Sequence, residues 1–143
     1  MATQADFSEQ EWEAIQKGLT GAGMLVSLAD RDFTDSFGEA KALAKFVGEQ
    51  RNTSDSALIR DIAAVHKSGF GFGTNPQELE TGTVESLKAA RAAIGAKAPE
   101  DVGAYRDLVL GAAQHVADAK GGGTSEAESA AIAKITEALD APA

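Results

Sequence analysis

Apolar residues recur along this chain at helical spacing. Trp12, Ile15, Leu19, Ala22, Val26 and Ala29 fall three or four apart and predict one long helix ending near Asp30. Ser8 stands three residues before Glu11, the spacing of a capping box, and Phe7 is placed to staple onto Trp12. A second capping pair, Ser36 and Glu39, opens a helix with Ala40, Leu43, Ala44 and Val47 on one face; a polar stretch, 48–54, is expected to end it. Leu58, Ile59, Ile62, Ala63 and His66 mark a third helix that stops at Ser68-Gly69. The fourth restarts at Asn75-Pro76-Gln77-Glu78 and buries Val84, Leu87, Ala90 and Ile94, with Thr81-Gly82-Thr83 as an expected break near its start. Pro99-Glu100-Asp101 opens the fifth, with Val102, Tyr105, Val109, Ala112 and Val116 aligned and Leu108 alongside. Ser125 and Glu128 cap a sixth, carrying Ile132, Ile135 and Leu139. No segment alternates as a strand does. The expected fold is all-α, about six helices in a compact bundle.

Two stretches echo each other. Leu28-Ala29-Asp30, a loop, Ser36-x-x-Glu39 and Ala42-Leu43-Ala44-Lys45-Phe46 compare with Val116-Ala117-Asp118, a loop, Ser125-x-x-Glu128 and Ala131-Ile132-Ala133-Lys134-Ile135. The echo is either a duplication or a coincidence between Ala-rich helices. Duplication predicts two pseudo-repeated helical hairpins around an approximate twofold axis.

Glycine interrupts the first helix at Gly18, Gly21 and Gly23. Each costs about 1 kcal/mol relative to Ala within a helix. A close helix crossing or a kink accounts for them more simply than a ligand against the backbone.

Composition narrows the function classes. At 143 residues the chain is one domain by size, able to bury roughly 70% of its unfolded surface. Its formal charge is -9, from 22 acidic and 13 basic side chains. That balance disfavours nucleic acid and anionic membrane surfaces, both of which call for Lys and Arg; it leaves a cation, a basic partner or plain solubility open. The chain has no Cys, so disulfides, thiolate metal sites and Cys nucleophiles are excluded. The first residues lack a basic then apolar signal pattern, and no apolar run is long enough to span a bilayer, so a cytoplasmic location is expected.

A helix ending in Ala-Asp, a loop, then Ser-x-x-Glu resembles the pattern of TerB-like domains, the tellurite-resistance family, and the paired helical layout would cover most of the chain. The opening Ser8-Glu9-Gln10-Glu11-Trp12 is also similar to uncharacterised bacterial helical proteins grouped near that family. The resemblance implies a helical bundle with an acidic, metal-binding face and no defined enzymatic activity. The chain departs from the pattern where Asp-Gly is usual: Asp30 precedes Arg31-Asp32, and Asp118 precedes Ala119.

The candidate chemistry is acidic. Asp30, Asp32, Asp35 and Glu39 cluster around one turn, where a divalent cation would find oxygen ligands; Asp118 and Glu128 occupy matching places in the second unit. The EF-hand pattern fails, because its last ligand would fall at Lys41 and no Gly sits in the turn. A solvated, capped turn is the simpler reading of the cluster, with Glu39 as its capping-box residue, since acids suit a helix N-terminus. His66 and His115 are the only histidines; each is expected to be a partly buried, hydrogen-bonded helical residue, too few for a zinc site. The loop Gly69-Phe70-Gly71-Phe72-Gly73 matches neither nucleotide motif. Gly121-Gly122-Gly123-Thr124 precedes acidic Glu126 and Glu128 and is better read as a linker than as an anion site. Arg106 is expected to pair with a neighbouring acid.

The leading expectation is a non-enzymatic binding module of TerB-like type that presents an acidic face to a cation or basic partner. A small-molecule binder or hydrolytic protein using His66 or His115, and a structural subunit of a homo-oligomer, are the alternatives.

Overall fold

A computed structural model describes residues 3–29, 36–64, 76–118 and 126–140, with side chains except those of 27–29, 36–44 and 76. Six helices carry the fold: α1 (Glu9–Ala29), α2 (Ser36–Thr53), α3 (Ala57–Ala64), α4 (Pro76–Lys97), α5 (Val102–Asp118) and α6 (Glu126–Asp140). Short 3-10 turns precede α1 and α5, and no strand occurs among the described residues.

The entry to α1 forms as its sequence dictates. Ser8 N–H donates to Glu11 Oε1 at 2.8 Å, and Glu11 N–H donates to Ser8 Oγ at 3.1 Å, satisfying two donors that a helix start leaves open. Phe7 meets Trp12 at 6.2 Å between ring centroids, the hydrophobic staple. Past this cap, Ile15, Leu19, Ala22 and Val26 are fully buried in a core to which all six helices contribute.

Helix α4 lies antiparallel against α1. Lys97, at its C-terminal end, pairs with Glu11 at 2.5 Å, while Leu87 packs at Gly18 two turns further along α1. Gly18 makes this approach possible: a Cβ there would stand 2.6 Å from Tyr105 Oη and 2.9 Å from Leu87 Cδ2. The glycine therefore serves a close crossing of α1, α4 and α5. Tyr105, buried on α5, donates its hydroxyl to the Ile15 carbonyl at 2.8 Å and ties α5 to α1. Burial pushes the phenol's pKa far up, so it remains a neutral donor.

Two expected boundaries move. Helix α2 continues through 48–53 rather than ending at Val47; Thr53 Oγ1 and the Ser54 N–H close its last turn onto the Glu49 and Gln50 carbonyls. Glu49, Gln50 and Arg51 are good helix formers that outweigh the single Gly48. Helix α4 passes unbroken through Thr81-Gly82-Thr83, with Leu79 and Thr83 buried beside the expected Leu87, Ala90 and Ile94. Tertiary burial of that face overrides the weak local propensity. The 3-10 turn Pro99–Asp101 leads directly into α5. Arg106 reaches across to Asp140 on α6 at 2.9 Å, and Lys134 on α6 pairs with Glu80 on α4 at 2.6 Å.

The echoing segments become α1–α2 and α5–α6. Between them, α5 packs against α1 and α2, and α1 packs against α5 and α6, while α1 has its most extensive packing with α4. The loops that join them, like the Phe-bearing loop 69–73, lie outside the described residues.

Candidate acidic groove

The residues nominated for a cation site fall in different settings. Asp30, Asp32 and Asp35 lie outside the described residues, as does His66; Glu39 lies within α2, its side chain undescribed. Asp118 is exposed at the end of α5 and accepts a hydrogen bond from Gln114 Nε2 at 3.0 Å. Glu128 is buried in the first turn of α6, at 1% exposure, so the two do not share a solvent-facing surface. Among the described residues, no group of three or more His, Asp or Glu side chains is arranged to hold a metal ion. No helix among them is long and apolar enough to cross a membrane.

His115 is hydrogen-bonded as expected but exposed. Its Nδ1 lies 2.8 Å from the Gly111 carbonyl, one turn earlier in α5. A carbonyl only accepts, so Nδ1 carries the proton in this geometry. The ring stacks on Phe46 of α2 at 4.3 Å and 27°. Phe46 also covers Gly111, where a Cβ would stand only 2.6 Å from Cζ. The imidazole thus closes a packing contact between α2 and α5.

Beside this contact runs a groove of about 700 Å³ between α2, α3 and α5. Phe46, Ile59 and Leu108 supply its apolar surface, and Asp55, Glu100, Asp101 and Asp107 supply carboxylates; among the described residues no Lys or Arg lines it. Asp55, Glu100 and Asp107 are exposed. Asp101 is half-buried and accepts the Ser56 hydroxyl hydrogen bond at 2.9 Å, while Ser56 Oγ accepts the Ile59 N–H at 3.2 Å. Ser56 is therefore both the cap of α3 and the link that sets its start beside the start of α5. Chemically, the groove offers negative charge around an apolar floor, suited to a side chain with an alkyl stem and a cationic head.

This grouping was half-visible in the sequence. Glu100, Ala104, Asp107, Leu108 and Gly111 follow helical spacing on one face. Glu100 and Asp101 read there only as helix openers, and Asp55 joins them through the packing of α3 on α5, which spacing does not encode.

No protein-family model matches the chain, and neither does any curated protein or solved structure, so the TerB-like resemblance rests on the sequence pattern alone.

Proposed function

We propose that this chain is a non-enzymatic binding module whose acidic groove receives a basic, amphipathic segment of a partner protein. The supporting observation is the groove's composition: Asp55, Glu100, Asp101 and Asp107 around Phe46, Ile59 and Leu108, with no cation in the lining among the described residues. A chain of formal charge -9 adds a long-range field of the same sign, which speeds encounter with a basic partner. What favours a basic segment at this groove is that its carboxylates surround apolar side chains, which suits an alkyl stem with a cationic head. It accords with the resemblance to TerB-like domains, which lends a binding role and no defined reaction.

The test is fluorescence anisotropy with a labelled helical peptide bearing Lys and Leu on opposite faces. Saturable binding that weakens with salt is expected, because exposed charge pairs are screened beyond roughly 8–10 Å. Glu100→Gln with Asp107→Asn should weaken binding on the order of fivefold, since each exposed pair contributes about 0.2–1 kcal/mol. Equal binding of a Glu/Leu peptide, or no effect of the double variant, would overturn the proposal.

A further inference from the structure

A second concavity, of about 810 Å³, opens on another part of the surface between the N-terminal turn, the start of α1 and α3. Its wall is the Phe7–Trp12 pair, whose rings are tilted by 39°. Gln16 lies one turn beyond Trp12 on the same helical face and also lines the concavity. Gln16 is only 4% exposed. Its Nε2 is directed at the Ile62 carbonyl of α3 at 3.5 Å, and its Oε1 is buried with no hydrogen-bond partner. A buried amide oxygen left in this state is unfavourable by about 1–3 kcal/mol, so a donor that meets it is rewarded. Glu9, Glu13 and Asp61 complete the lining with carboxylates; among the described residues no Lys or Arg lines it, and the nearby Lys97 Nζ stands 5.4 Å from the Phe7 ring centroid while paired with Glu11. Glu13 is engaged by Lys17 at 2.7 Å, and Asp61 accepts the Gln4 N–H at 3.1 Å, which anchors the N-terminal turn to α3.

We propose that this concavity binds a small primary amine with an aromatic body. Each part of the ligand answers a feature of the site. The ring lies against Phe7 and Trp12, the Gln16 amide, held only by a long 3.5 Å contact, turns so that its buried Oε1 accepts from the ammonium, and the carboxylate lining favours the positive charge. The volume is that of sites which hold small organic ligands, and an aromatic wall faced by polar groups suits a ligand with an apolar body and a charged head. An anion of the same shape is repelled. A neutral alcohol keeps the donor and loses the charge. This site is independent of the groove between α2, α3 and α5, with which it shares no lining residue.

Trp12 is the chain's only tryptophan, so its emission reports directly on occupancy. The probes are 2-phenylethylamine, 2-phenylethanol and 3-phenylpropionate, titrated separately into the full chain. The amine is expected to give a saturable emission change, the alcohol to bind several-fold more weakly, and the carboxylate to give no saturation. Gln16→Leu should weaken the amine about tenfold, the loss of one hydrogen bond to a charged donor. Because Gln16 is buried, Glu9→Gln on the exposed first turn supplies a second variant. It should weaken the amine while leaving the alcohol's affinity unchanged, with the melting temperature lowered by no more than a few degrees, because an acid is lost from the first turn of α1. Asp107→Asn, in the other groove, should alter neither. No saturation with the amine, equal binding of amine and carboxylate, or undiminished amine affinity in a folded Gln16→Leu or Glu9→Gln would overturn the proposal.

Discussion

Replacing Gly18 by Ala adds one methyl group at the point where α1, α4 and α5 meet. Two effects oppose each other. Ala is the better helix former by about 1 kcal/mol. The added Cβ, however, would stand 2.6 Å from Tyr105 Oη and 2.9 Å from Leu87 Cδ2, both well inside contact distance. Leu87 is at the end of a flexible side chain and can turn aside, but Tyr105 is buried and held by its hydrogen bond to the Ile15 carbonyl. Overpacking a filled core costs about 1–3 kcal/mol, so the net expectation is a loss of about 1 kcal/mol. For a chain of this size that lowers the melting temperature by roughly 2–4 °C. Tyr105→Phe removes the nearest obstructing atom and, by itself, costs about 1 kcal/mol through its lost hydrogen bond. Urea denaturation followed by circular dichroism on the two single variants and the double variant measures the coupling directly. Gly18→Ala should be neutral or stabilising once Tyr105 is Phe. A stabilising Gly18→Ala in the native background, or additive effects in the double variant, would refute the close-crossing account.

Gly48→Ala is the matching control: the glycine is exposed within α2 with nothing within 4 Å of its added Cβ, so thermal melts should show a gain of up to about 1 kcal/mol. Ser8→Ala removes the side-chain half of the capping box and should destabilise by about 1 kcal/mol in the same assay. Glu11 is held below the usual carboxylate range by its hydrogen bond to Lys97 and the N–H of Ser8. A depressed carboxyl stabilises above its unfolded pKa and loses that contribution as pH falls through its folded pKa. The stability difference between the native chain and Glu11→Gln, from melts across pH, should therefore be full at neutral pH and shrink on acidification below about 4.5. A difference that does not change with pH would contradict the pairing.

Local signals and tertiary ones were legible to different degrees. The capping pair Ser8–Glu11, the staple Phe7–Trp12 and the face Ile15, Leu19, Ala22 and Val26 are short-range chemistry, and the sequence carries them in full. Thr81-Gly82-Thr83 has the weak local helix propensity of a break, but Thr83 is fully buried within α4, and that burial is a tertiary property the local sequence does not carry. The extension of α2 through Thr53 follows the same logic in reverse, with helix formers after Gly48 outweighing one glycine. For function, sequence proximity pointed to the turn at Asp30, Asp32 and Asp35, outside the described residues, and paired Asp118 with Glu128, of which one is exposed and the other buried. The acidic groove brings Asp55 to Glu100, Asp101 and Asp107 across 45 or more positions, a meeting made by the Ser56–Asp101 contact between helix starts. Gln16 gave no sequence signal beyond its place one turn after Trp12, because an amide's hydrogen-bond balance exists only in the folded chain.

The central claim, that the groove between α2, α3 and α5 is the surface that meets a basic partner, is tested most directly by amide chemical-shift mapping. The labelled chain is titrated with the Lys/Leu peptide. Saturable shifts should concentrate at Ser54, Asp55 and Ser56, at Glu100 and Asp101 in the 3-10 turn, and along α5 as far as Gly111, and should fade as salt rises. Shifts centred elsewhere on the chain, or equal in size with a Glu/Leu peptide, would contradict it.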